Sequence, residues 1–156
     1  MSKEQLMAQL KKELGKSTGP SSWMTVDQKR INQFADATGD HQWIHVDVER
    51  AKKESPYKSP IAHGFLTLSL LPVLNNEVSG ASSSYPGVKL GVNYGLNKVR
   101  FPAPVPAGSR VRASSKLIDV SEIPGGVQLI REVTIETEGQ KKPCCVAESI
   151  SRLYFE

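Results

Sequence analysis

The chain has 156 residues, of which 38% are hydrophobic and 23% charged, the balance of an ordinary globular domain, so wholesale disorder is excluded and one domain over 1–156 is expected. Its 20 Lys and Arg against 16 Asp and Glu leave a formal charge of +4. The basic residues come as scattered pairs (Lys11-Lys12, Lys52-Lys53, Lys141-Lys142) among acids, so no nucleic-acid partner is expected.

The N-terminus carries charge every few residues instead of an apolar stretch, and no secretory signal is expected. Ser2 and Gln5 stand at capping-box spacing, Leu6, Leu10 and Leu14 recur every four residues, and Gly15 stops the pattern. These features predict a helix over Ser2 to Leu14, part of an N-terminal helical element over 1–16, which packs on the body or covers it as a lid. Ser17 to Ser22 reads as a polar turn. Thr25 and Gln28 repeat the capping spacing, and Ile31, Phe34 and Ala35 form an apolar stripe, so a second helix runs to Gly39. Asp47 opens a short charged helix that ends before Ser55-Pro56.

Ser59-Pro60 supplies a cap and a first-turn proline for a third, apolar helix from Ile61 to Leu74. Its apolar residues fall all round the helical wheel, so it must be surrounded. Pro72 removes the bond to the Leu68 carbonyl and can bend or end the helix there. The most apolar stretch, Phe65 to Leu74, is too short to cross a bilayer, and no membrane association is expected.

Beyond the serine-rich Gly80 to Gly87, the period becomes that of strands. Val88, Leu90 and Val92 alternate, as do Val111, Ala113, Ser115 and Leu117. Val127, Leu129, Val133 and Ile135 do the same, with Arg131 breaking the pattern, and Cys144 to Phe155 reads as a last strand. Gly125-Gly126 and Gly139 mark turns between antiparallel neighbours, and Pro102, Pro104 and Pro106 mark an edge or loop. The fold class is therefore α+β, an antiparallel sheet wrapped around one long apolar central helix. The only cysteines, Cys144 and Cys145, are adjacent and ill suited to a disulfide, which suits a reduced, cytoplasmic setting.

The densest polar cluster runs from Thr38 through Gly39, Asp40, His41, Gln42, Trp43, Ile44 and His45 to Asp47, between two helices. A carboxylate and an imidazole five residues apart diverge on a helix but converge in a turn, where Asp40 and His45 make an acid–base pair. The structural alternative is a capping Asp40 and a hydrogen-bonding His45. His41 and His45 have the spacing of two metal ligands on a helix, yet the preceding Thr-Gly argues against a helix, and no cysteine pair has zinc spacing, so no metal is expected. A Ser69–His45–Asp triad lacks the G-x-S-x-G elbow of hydrolases. His63-Gly64 sits in the first turn of the apolar helix, where Gly64 either packs tightly or offers its N–H to an oxyanion.

The run Phe34-Ala35-Asp36-Ala37-Thr38-Gly39-Asp40 to Ile44-His45-Val46-Asp47, with Arg50-Ala51 and Ile61-Ala62-His63-Gly64-Phe65, resembles the MaoC-like (R)-specific enoyl-CoA hydratases, especially their nodulation protein N-like branch. Asn93 to Phe101 and Pro104 to Ser109 extend the likeness, which covers most of the chain from Trp23 onward. The resemblance implies a hot-dog fold, a homodimer, and reversible hydration of an enoyl-CoA, as in supplying hydroxyacyl units to polyhydroxyalkanoate synthesis. It places the catalytic aspartate and histidine on Asp40 and His45 and the thioester-polarising amide on Gly64. Gln42, Trp43, Ser59, His63 and Phe65 become substrate-binding positions, and Lys98 and Arg100 candidates for the CoA phosphates. The acyl-CoA is substrate, and no cofactor is implied. The family's widespread motif has Asn-Pro where this chain has Gln42-Trp43, a departure that bears on the acyl pocket. A non-catalytic acyl-thioester-binding module and a thioesterase are the alternatives that the fold alone leaves open.

Overall fold

A computed structural model describes residues 1–79 and 85–155, with residues 77–79 described by backbone only. The elements in chain order are α1 (Lys3–Glu13), β1 (Ser17–Thr18), β2 (Met24–Val26), α2 (Gln28–Thr38), α3 (Trp43–Val46), α4 (Val48–Glu54), α5 (Gly64–Ser69), α6 (Leu71–Ser79), β3 (Leu90–Arg100), β4 (Ser109–Ile123), β5 (Gly126–Thr137) and β6 (Cys145–Tyr154). The strands form one antiparallel sheet in the order β1-β4-β5-β6-β3, and β2 also pairs with β4.

Alternation along the long strands puts one residue in two on the inner face. In register, Ala113, Ile135 and Cys145 form one row, and Ser115, Val133 and Ala147 the next, all buried. Helix α5 packs against β6 and α6 against β4 and β5, so the helices cover this face. Leu66, Leu70, Leu71 and Leu74 join Val111, Val133 and Ile135 in the main core. A second cluster lies under α1, where Leu6 and Leu10 meet Leu117, Val127, Leu129 and Leu153.

Ser2 caps α1 through the expected reciprocal pair with Gln5. Helix α2 ends at Gly39 in the left-handed conformation, and Asp47 caps α4, both as expected. Three expectations need correction. The cap of α2 is Asp27, whose carboxylate accepts from the Arg30 amide, because Thr25 lies in β2 paired to Arg110. The turn expected at Ser17 to Ser22 contains β1, which pairs with β4. The helix expected over Ile61 to Leu74 is shorter and broken.

That helix starts at Gly64 with His63 at its cap, because Ile61 is held in an extended bridge to Pro106. Ser59 therefore caps nothing and turns its hydroxyl to the Pro60 carbonyl. The break falls at Leu70, two residues before Pro72, whose ring cannot sit against the Leu68 carbonyl of a continuous helix. Pro72 then occupies the first turn of α6, where a missing N–H costs nothing. Nor is the helix enclosed on all sides, since Phe65 and Val73 are exposed. Of the serine-rich stretch, 80–84 lie outside the described residues, and among the described residues no helix is long and apolar enough to cross a membrane.

Replacing the true cap should reveal it. Asp27→Ala is expected to cost about 1 kcal/mol in urea unfolding, the usual value for a lost N-cap. Thr25→Ala, at an exposed strand position, should stay within about 0.5 kcal/mol of wild type.

Candidate active site

The left-handed Gly39 ends α2 and throws the chain into a short loop carrying Asp40, His41 and Gln42 before α3 begins. Asp40 is exposed, and its carboxylate accepts from the Gln42 amide at 3.3 Å. His45, in the last turn of α3, is buried beside the extended segment that precedes α5. Its Nδ1 lies 2.7 Å from the Ile61 carbonyl oxygen. A carbonyl only accepts, so Nδ1 carries the proton and the neutral ring presents a bare Nε2. Burial pushes the His45 pKa below that of an ordinary imidazole, and the nearby His63 ring adds to the effect. The Ile61 carbonyl and the Asp40 charge pull the other way.

His63 is also buried, and its Nε2 donates to the Asp40 backbone carbonyl at 2.9 Å, which leaves Nδ1 bare and without a partner. The two imidazoles stack with centroids 3.9 Å apart, and Phe34 closes on His63 from α2. Asp40, His45 and His63 thus bring one carboxylate and two ring nitrogens within 4.8 Å of one another. Each ring spends one nitrogen on a carbonyl and leaves the other uncommitted, a set of groups of the type that transfers protons or holds a metal ion.

Gly64 follows His63 and opens α5, so its N–H has no intrahelical acceptor. A side chain there would meet the Phe101 ring at 2.9 Å. A cavity of about 350 Å³ borders Gly64, walled also by Tyr57, Ile61, Thr67 and Phe101, and neither Asp40 nor His45 lines it.

The other expected positions fall as follows. Trp43 lies under the Arg50 guanidinium, 4.3 Å from ring centre to cation, and Gln42 is exposed on the loop. Neither lines a described cavity, nor does Ser59. Phe65 is 68% exposed and meets Phe101 edge to face. Lys98 and Arg100 lie exposed on β3. His41 turns away to Asp36 at 2.8 Å, which raises its pKa and removes it as a second ligand beside His45. Ser69 donates back to the Phe65 carbonyl, and no triad forms among the described residues. Both cysteines are free and buried, and burial pushes the Cys145 thiol up to about 12, so neither offers a thiolate. What the sequence could not supply was the Ile61 carbonyl and the Gln28 amide, which donates to the His45 carbonyl at 2.7 Å. Both are partners made only by folding.

A sheet with helices laid on one face, with a carboxylate and two imidazoles gathered beside the start of α5, defines a hot-dog domain. Residues 9–138 match the family described as the MaoC like domain, and the chain belongs to that family. It is 55% identical over 147 residues to the 3-hydroxyacyl-thioester dehydratase Z of Mycobacterium tuberculosis, covering 94% of each chain. Nodulation protein N of Rhizobium leguminosarum bv. viciae is 44% identical over 155 residues, covering 96% of this chain and 92% of that protein. Among solved structures, the (R)-hydratase from A. caviae involved in PHA biosynthesis shares the fold at a TM-score of 0.67 and 22% identity, over 89% of this chain and 95% of that one.

The state of His45 has a measurable consequence. The unfolded imidazole binds a proton near pH 6.5, while the folded one resists it to lower pH, so the unfolded state holds more protons in that window and stability falls as pH drops. The raised pKa of exposed His41 acts in the opposite sense but equally in wild type and variant. Between pH 7.5 and 5.5 the urea midpoint should therefore fall further for wild type than for His45→Gln.

Proposed function

We propose that the chain catalyses the reversible syn addition of water to a trans-2-enoyl-CoA, giving an (R)-3-hydroxyacyl-CoA, with Asp40 and His45 as the acid–base pair. The observation that carries this reading is the bond from His45 Nδ1 to the Ile61 carbonyl, which leaves Nε2 as a base. Membership of the MaoC-like family and the name of the mycobacterial relative support the same chemistry.

Water gives a proton to His45 Nε2 as its oxygen bonds to C3, and the C2–C3 π electrons move toward the thioester carbonyl. The Gly64 N–H holds the enolate oxygen as charge develops there. C2 then takes a proton delivered through Asp40, and proton exchange between the imidazole and the carboxyl restores the resting pair. The net change is one water added across C2 and C3. Both groups act on one face, which accounts for syn addition.

The reading needs no cofactor and no metal, so dialysis against a chelator should leave turnover unchanged. It places the enzyme in the cytoplasm, where reduced cysteines and acyl-CoA coexist, and its products are of the kind that polyhydroxyalkanoate synthesis consumes. It also takes a homodimer as the working unit. Among the described residues the edge strand β3 pairs only with β6 and leaves Leu90, Tyr94 and Leu96 exposed, and Phe65 is exposed near the end of the strand at Phe101. A long apolar edge of this kind normally meets a partner. Light scattering is expected to return twice the mass of the 156-residue chain, whereas a monomer at working concentration would remove the dimer from this reading.

Loss of the 2-enoyl absorbance with crotonyl-CoA, followed by chiral analysis of the alcohol, tests the reaction itself. Asp40→Asn and His45→Gln, each verified as folded by circular dichroism, should lower kcat by about 10²–10⁴. Wild-type turnover in both variants would refute the assignment.

A further inference from the structure

Arg131 interrupts an apolar alternation, yet it does not turn outward. It lies on the inner face of β5 in register with Leu117 of β4 and Ser149 of β6, and it is buried to 6% exposure. An arginine cannot shed its proton, so its charge stays in the interior. No carboxylate among the described side chains lies within salt-bridge distance of it. Tyr85 stands close to the guanidinium across the cavity, but a phenol brings no opposing charge. Buried charges are ordinarily paired, and among the described residues this one faces a cavity instead of a carboxylate.

That cavity, of about 160 Å³, is lined by Arg131, Tyr85, Asn75, Asn93, Ser149 and Ser151 among others. It continues into an apolar groove of about 260 Å³ between Leu68 and Leu71 on the helices and Gly95 and Leu96 on β3. The two share Leu71, Pro72, Asn93 and Ser149, so they form one path whose walls turn from apolar to polar. The path starts at the C-terminal end of α5, whose N-terminal residue is Gly64. At 1.5 Å per residue along α5, Leu68 lies about 6 Å from Gly64, and the polar cavity lies beyond the break at Leu70. An acyl chain held by its thioester at Gly64 and laid along α5 would cross the apolar groove first and reach Arg131 with its far end.

We infer that this distal cavity receives a carboxylate at the far end of the acyl chain, so that the preferred substrates are medium-length 2-enoyl thioesters ending in a carboxyl group. The inference rests on the hydratase reading for the identity of the thioester. A methyl terminus brings the guanidinium no counter-charge, while a carboxylate pairs with it and with the hydroxyl and amide groups around it.

The experiment compares trans-2-octenoyl-CoA with trans-2-octenedioyl-CoA, which differ only in a terminal methyl or carboxyl group. Wild type should favour the carboxyl-ended substrate in kcat/KM by at least about tenfold, the equivalent of one charge-assisted hydrogen bond. In Arg131→Gln that ratio should collapse toward one. Wild-type hydration of the methyl-ended substrate equally well or better overturns the inference and leaves the hydratase reading intact. If a folded protein hydrates neither, the hydratase reading falls, and calorimetric binding of suberyl-CoA against octanoyl-CoA decides the cavity separately. A preference for suberyl-CoA supports the inference, and equal affinities refute it. The wild-type comparisons hold even if Arg131→Gln fails to fold. Free octanedioate should not compete, and competition by it would reassign the cavity to an independent anion.

Discussion

The site depends on four residues of extended backbone, Pro60 to His63, which the chain could have continued as helix. Ile61 donates to the Ile44 carbonyl, Ala62 to that of Val105, and the Ala107 amide donates back to Pro60. The segment is therefore held from both sides, by the α3 turn and by the proline-rich connection before β4. Ile61 then has its carbonyl left for His45, and His63 at the end of the segment reaches the Asp40 carbonyl. Two imidazoles, one carboxylate and the Gly64 amide thus take their positions from backbone bonds rather than from one another. Such a frame keeps a proton-transfer site tight even though Asp40 itself is exposed, and misplacement by about 1 Å in a site of this kind can cost about a hundredfold in rate.

Where the signal was local, the sequence was legible. Ser2 with Gln5, Gly39 after α2 and Asp47 before α4 each act within four residues, and each occupies the expected place. The alternation of β4 and β5 was equally clear, because one face of each strand is buried. The errors came from partners distant in sequence. Thr25 had the right spacing for a cap, but pairing with Arg110 drew it into β2 and handed the cap to Asp27. Ile61 had helical neighbours on the wheel, but its bridge to Pro106 held it extended. Asp40 and His45 could be named from their motif. The Ile61 carbonyl that sets the imidazole's tautomer could not, since every residue has a carbonyl.

Strand β3 shows a different limit. Its apolar residues alternate in sequence, but irregularities after Asn93 and Leu96 interrupt the register, and among the described residues Leu90, Tyr94 and Leu96 remain open. Among the described residues nothing covers these side chains, which is the surface a partner copy would use in the proposed dimer. Phe65 at the start of α5 is likewise exposed and meets Phe101, whose ring lies against Gly64, so part of the uncovered apolar surface stands next to the glycine amide. A second copy seated there would shield the thioester from water at the point where charge develops, and exclusion of water strengthens the amide's hold on an oxyanion.

The inner face of the sheet meets two incompatible demands. It must be apolar to hold the helices, and its two hydrophobic clusters do so, one under α5 and α6 and the other under α1. Between them runs a polar waist of Arg131 and Ser149, with Ser115 one row away and equally buried. Filling that waist with leucine or valine would merge the clusters into one core, at no cost in strand propensity and with more apolar burial. A cationic waist forgoes that stabilisation and adds the desolvation of a permanent charge. Packing alone gives no reason for such an arrangement. Recognition does, because a buried guanidinium at the end of an apolar path distinguishes a carboxyl terminus from a methyl one, which no lining of leucines can do.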